Sequence, residues 1–177
     1  MAEEKIFTAG LTAIKVKPWT SATESTPVFA DTDLLGYTEE GSCSLTAEDP
    51  EETEIYAEEL DTPVKVFTKE GKTTLAFNVL NPSVTVLQKM MGGTGTEATG
   101  STGASWKAPK SSFAGEYHVK IEPKEGYQIT LPKVKLNAKI SSTFGKTDLL
   151  KLEITGTILQ PTTDNVPKMT LEKPAND

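Results

Sequence analysis

The sequence predicts a mainly β fold carrying one short α-helix, on three observations. The segments with clear periodicity alternate apolar and polar residues at period 2, as strands with one buried face do. Runs rich in Val, Ile, Thr and aromatic residues are bounded by Gly, Pro, Asp and Asn. Only one stretch carries both a start and a stop signal for a helix.

Along the chain, residues 1–10 lack periodicity and predict an N-terminal arm, and residues 18–33, with two prolines and many Ser and Thr, predict an irregular stretch. Residues 63–69 and 72–80 are β-rich runs joined by Glu70-Gly71, which predicts a hairpin. Residues 81–91 predict the helix: Asn81 as N-cap, Pro82 at the first helical position, a stripe of Val84, Leu87, Met90 and Met91, and Gly92-Gly93 as the stop. At that spacing the methionines read as core filler rather than a ligand patch. Residues 92–103 carry five glycines and almost no apolar surface, which predicts a mobile surface loop. Residues 113–122 and 126–131 predict a second hairpin around residues 123–126. In residues 133–140, Val134, Leu136, Ala138 and Ile140 share one face and Lys133, Lys135, Asn137 and Lys139 the other, the clearest strand in the chain. Residues 148–159 alternate likewise, with Gly156 marking a bulge or close packing. Residues 160–177, with three prolines, predict a C-terminal arm. The organisation expected is a single domain over 1–177 with its core at about 27–159 and no internal repeat.

Composition excludes several function classes. At 177 residues, 36% hydrophobic and 24% charged, the chain is of ordinary globular character. No run approaches the roughly 20 apolar residues of a membrane span, and the first ten residues lack a basic segment followed by an apolar one, so neither membrane anchoring nor Sec-type export is expected. All 18 basic residues are lysine, and without arginine a sequence-specific nucleic-acid reader is disfavoured. The net charge of −7 disfavours nonspecific binding as well. That charge is unevenly spread: residues 18–64 hold thirteen acids and no lysine, whereas residues 65–177 hold fifteen lysines against ten acids. One face or edge of the fold is therefore expected to be strongly anionic, serving solubility, contact with the basic surface of a neighbouring copy, or a surface facing a polyanion that must not stick.

Catalytic signatures are missing. The single cysteine, Cys43, reads as a buried or half-buried thiol, and the single histidine, His118, as a strand-surface residue without catalytic partners. The glycines after the helix lack the Lys-Ser/Thr of a phosphate loop, no serine sits in a Gly-x-Ser-x-Gly elbow, and the acids at 48–52 lack calcium-loop spacing. No catalytic, cofactor or metal residue is nominated, and no enzyme is expected.

The order of features carries a resemblance. An acidic strand over residues 51–60 leads through Asp61-Thr62-Pro63-Val64 to residues 71–77. There follow the helix ending in Gly92-Gly93, a Gly-Thr loop, and re-entry at Trp106-Lys107-Ala108-Pro109. Over residues 27–159 this resembles the major tail-tube proteins of long-tailed bacteriophages. The resemblance implies a two-sheet β-sandwich or incomplete barrel with a flanking helix, and a structural subunit without cofactors. It implies six copies per ring, and rings stacked head to tail into a virion tube through whose lumen genome DNA passes unbound. Subunits would meet one another and other tail proteins such as tape measure, terminator, baseplate or sheath, and would assemble in the host cytoplasm. On that basis Glu52, Glu54 and Glu58, of one strand parity, are expected to face the lumen. Gly92, Gly93, Thr94, Gly95, Gly100 and Gly103 are expected in an inter-ring or outer loop. Two other readings compete: the tube subunit of a contractile or type VI injection system, and a monomeric surface-binding β-module.

Overall fold

A computed structural model describes residues 8–174. The N-terminal arm expected over residues 1–10 and the C-terminal arm over 160–177 thus lie partly outside the described residues.

Twelve strands and one α-helix follow in chain order: β1 (Ala13–Pro18), β2 (Tyr37–Thr38), β3 (Ser44–Ala47), β4 (Glu51–Ile55), β5 (Lys65–Lys69), β6 (Thr73–Leu80), α1 (Val84–Met91), β7 (Thr94–Thr96), β8 (Ser105–Lys107), β9 (Ala114–Glu122), β10 (Gln128–Ser141), β11 (Lys151–Ile158) and β12 (Thr170–Glu172). The main antiparallel sheet runs β1-β9-β10-β11-β6-β2, with β3 also on β6 and β12 on β10. It curls until Lys15 of β1 bridges Leu34 just before β2, giving an incomplete barrel. The mainly β class with one helix is what the sequence predicts.

The alternation sets the core. Leu75, Phe77 and Val79 of β6, Leu152 and Ile154 of β11, Val134 and Leu136 of β10, and Tyr117, Val119 and Ile121 of β9 all face inward and are buried. The helix closes the barrel with Val84, Val86, Leu87 and Met90. Met90 is core filler as expected, and Val86 takes the inward place expected of Met91, which is only partly buried. The helix starts two residues later than predicted. Asn81 adopts a left-handed backbone with φ +45°, and Ser83 is the cap, its side chain accepting from the Val86 N–H.

Two predicted strands merge. Residues 126–131 and 133–140 form the one strand β10, which passes through Pro132 by a register shift between Leu131 and Val134. Pro132 lacks the N–H a regular ladder requires, so pairing resumes one residue out of step. Gly156 marks close packing rather than a bulge, since register with β10 is unbroken there and a Cβ would meet Leu136 Cδ2 at 2.6 Å.

Candidate assembly surfaces

The acidic region forms an arm. The predicted hairpin of residues 63–69 with 72–80 does not exist: β5 pairs with β4, and β6 with β3 and β11. Register explains the difference. Pairing runs without a slip from Ser44↔Ala76 through Ala47↔Thr73 to Glu51↔Lys69 and Ile55↔Lys65, and the Glu48 N–H donates to the Lys72 carbonyl at 2.8 Å between them. Residues 44–76 are therefore one long ribbon whose inner half belongs to the sheet and whose outer half leaves it. Gly71 stands at the departure point and is no turn: a Cβ there would lie 2.1 Å from the Glu48 carbonyl oxygen and 2.7 Å from that of Asp49.

No residue of the outer half is buried. Exposed apolar side chains include Ile55, Tyr56, Leu60, Val64, Val66 and Phe67. The two faces differ. One carries Glu51 bridged to Lys69 at 3.2 Å, Thr53, Ile55, and Lys65 over the Phe67 ring at 4.6 Å. The opposite face carries Glu52 opposite Thr68 and Glu54 opposite Val66, with no lysine. Tyr56 donates its hydroxyl hydrogen to Glu54. Strand β4 ends at Ile55, earlier than the predicted 51–60, and the chain turns as the Leu60 N–H donates to the Ala57 carbonyl at 3.1 Å. Glu58 thus stands in the tip turn, off the face that Glu52 and Glu54 share.

The glycine loop is a built element rather than the mobile stretch expected. Strands β7 and β8 pair from Thr94↔Lys107 to Thr96↔Ser105. Gly93 and Gly95 let this ribbon press close, since a Cβ at Gly93 would lie 2.3 Å from the Lys107 carbonyl oxygen and one at Gly95 2.4 Å from Val84 Cγ1. Trp106 Nε1–H donates to the Gly92 carbonyl at 3.0 Å, and Glu97 accepts from both the N–H and hydroxyl of Thr85 at 2.8 Å in the first turn of α1. Those donors hold the Glu97 carboxyl below its ordinary range. Gly92 and Thr94 belong to this packed base, while Gly100 and Gly103 occupy the tip, where a Cβ would meet nothing within 4 Å.

On the outer face of β9 the sequence reading fails for His118, which is fully buried rather than on the strand surface. His118 does lie on the outer face of β9, but residues 19–24 and 160–163 cover that face. His118 Nδ1 lies 2.5 Å from the Pro132 carbonyl, which can only accept, so Nδ1 carries the proton. Nε2 then accepts from the Thr20 N–H at 3.2 Å and the Thr23 hydroxyl at 3.1 Å. Beside it Glu24, with no exposed surface, accepts from Trp19 Nε1–H at 2.9 Å and from the N–H groups of Thr162 and Thr163 at 2.9 and 2.6 Å. Burial opposes its ionisation, and the donors outweigh burial to hold the carboxyl at about 2. Residues 160–163 are thereby tied to the sheet, and farther on β12 pairs with Gln128–Thr130.

An open groove of about 780 Å³ lies beside β2, with Leu11, Cys43, Leu45, Ile121, Tyr127 and Ile129 among its lining. Cys43 is a half-buried free thiol whose pKa burial raises. No group of three or more His, Cys, Asp or Glu that could hold a metal occurs among the described residues.

No curated protein matches the chain. The profile of the phage tail tube protein family, by contrast, matches residues 2–173, and so spans the barrel, the ribbon and the bound C-terminal segment alike. An arm exposed on both faces, a covered outer sheet face and a match of this extent agree, and the chain belongs to the phage tail tube protein family.

Proposed function

We propose that this protein is the structural subunit of a phage tail tube, assembling as hexameric rings stacked head to tail around a lumen that conducts genome DNA in the virion. The carrying observation is the ribbon over residues 51–69, which exposes six large apolar side chains and has no covering element among the described residues of its own subunit. Two strands standing alone in water are marginal, and an unpaired apolar edge invites pairing, so this arm is stable when a second copy covers it.

Glu52 and Glu54 are the lumen-facing residues of this reading. Their face continues that of Ser44, Thr46, Thr74 and Ala76 along the unbroken ribbon register, and across the sheet that of Thr155 and Asn137. The face also carries Lys72, Lys135 and Lys139, the last bridged to Glu153, but at its ribbon end Glu52 and Glu54 hold no ion pair among the described residues. An acidic stretch of this kind suits a wall along which a polyanion slides without binding. The tip of the β7–β8 ribbon, with Gly100 and Gly103, points to an outer or inter-ring contact with tail partners such as a sheath.

Negative-stain microscopy of the purified protein at rising concentration tests the tube. Hollow tubes of even diameter are expected, and deletion of residues 56–64 should leave folded monomers. A full-length protein that stays monomeric even with a tail-tip initiator would overturn the reading.

A further inference from the structure

The proposed stacking requires a receiving surface, and the two ends of the sheet differ in a way that supplies one. The ribbon leaves from the N-terminal end of β6 and the C-terminal end of β3. At the other end of the same sheet lie residues 142–150, joining β10 to β11, and residues 107–113, leading into β9, whose first residue pairs with Asn137 near the end of β10. The ribbon projects roughly 26 Å beyond the sheet at the usual strand rise, so its tip cannot fold back to that far end.

The surfaces complement each other in charge and apolarity. The tip turn presents Glu58, Glu59 and Asp61 around Leu60, all exposed, with Leu60 at 54%. None of these acids holds an ion pair within the subunit among the described residues. These two segments present Lys107, Lys110 and Lys146, likewise exposed and without an ion pair among the described residues, against one acid of their own, Asp148. Glu39 at the neighbouring end of β2 is already engaged by Lys151 and Asn78. The same two segments also expose Phe144 at 92%, Leu149 and Phe113. A phenylalanine so exposed on a nine-residue loop buries almost nothing against the described residues of its own subunit.

We infer that Lys107, Lys110 and Lys146, with Phe144 and Leu149, form the docking surface for the tip turn of a second copy, whose Glu58, Glu59, Asp61 and Leu60 they receive. Acid meets base and apolar meets apolar, and since the two surfaces sit at opposite ends the contact is heterologous and open-ended. The inference rests on the tube reading, and leaves Glu52 and Glu54 on a separate face of the arm.

Charge exchange tests it. The variant K107E/K110E/K146E and the variant E58K/E59K/D61K, each with an unchanged thermal melt since all six residues are exposed, should each lose tubes. The six-fold variant, with both sides reversed, should regain them. In a Cys43→Ser background, Leu60→Cys with Phe144→Cys should give a ladder of disulfide-linked oligomers from assembled tubes. Normal tubes from the triple lysine reversal, or no recovery in the six-fold variant, would overturn this contact. Either result leaves the tube reading standing, which fails instead if the unaltered protein makes no tubes.

Discussion

Glu24 and His118 occupy one covered patch, and each titrates in the sense that links the patch to pH. The ordinary histidine value is 6.5, and desolvation lowers it for His118. A folded pKa below the unfolded one means that stability is fully present above about pH 6.5 and is lost as pH falls through the folded value. Protonated Nε2 could no longer accept from Thr20 and Thr23, while Lys17 nearby also opposes the positive charge and Glu24 favours it. Glu24 behaves likewise one step lower: its contribution is complete above the ordinary 4.5 and disappears toward about 2. Melting temperature is therefore expected to decline in two stages on acidification, and His118→Gln should remove the first. Glu24→Gln keeps the shape and loses the charge, leaving the Thr162 and Thr163 donors poorly matched, and should cost about 2–3 kcal/mol by denaturant titration at pH 7. A cost near zero would mean that residues 160–163 are held by packing alone. Neither residue was legible beforehand, because alternation in residues 116–120 tells which face a side chain takes and not what covers that face.

At the level of elements, what local chemistry decides was legible and what pairing decides was not. The helix was visible from its apolar stripe and its Gly92-Gly93 stop, yet two good caps stood two residues apart, and only the backbone shows Ser83 winning. Ser83→Ala should cost about 1 kcal/mol, whereas Asn81→Gly, relieving a left-handed backbone, should be nearly neutral. Reversed costs in a thermal melt would restore Asn81 as the cap. Gly71 followed by a β-rich run looked like a hairpin turn, but turn chemistry cannot announce that two strands continue an earlier pair. The alternation Ala13-Ile14-Lys15-Val16-Lys17 was a readable signal for β1 that the strand reading left out. For the ribbon, Gly71→Ala forces the Glu48 and Asp49 carbonyls aside. It should cost about 1–3 kcal/mol in the melt and, by tilting the arm, shorten tubes seen by microscopy. A melt and tube length both unchanged would show that the departure point is free to adjust.

For the whole molecule, the uneven charge of the chain becomes an arrangement in space. The acids of residues 48–61 stand on the ribbon, and the fold divides them among the face shared by Glu52 and Glu54, the opposite face where Glu51 is bridged to Lys69, and the tip turn of Glu58, Glu59 and Asp61. Sequence parity placed Glu58 with the first group because the strand seemed to run on to Leu60; the turn at Ala57–Leu60 separates it. If the shared face lines the lumen, its charge acts on passing DNA and not on assembly. E52K/E54K should then give virions with tails of normal length, since neither residue holds an ion pair among the described residues and Glu54 loses only the hydrogen bond from exposed Tyr56. The net charge along the wall nevertheless shifts by +4 per subunit, two carboxylates being replaced by two ammonium groups. Phosphates would displace counterions and bind, so DNA release triggered in vitro should slow by roughly tenfold or more at low salt and recover as salt rises, the signature of counterion release. Glu52→Gln with Glu54→Gln, neutral rather than basic, should show a far smaller delay. Equal release rates for all three virions at low salt would place these carboxylates elsewhere than on the path of the genome.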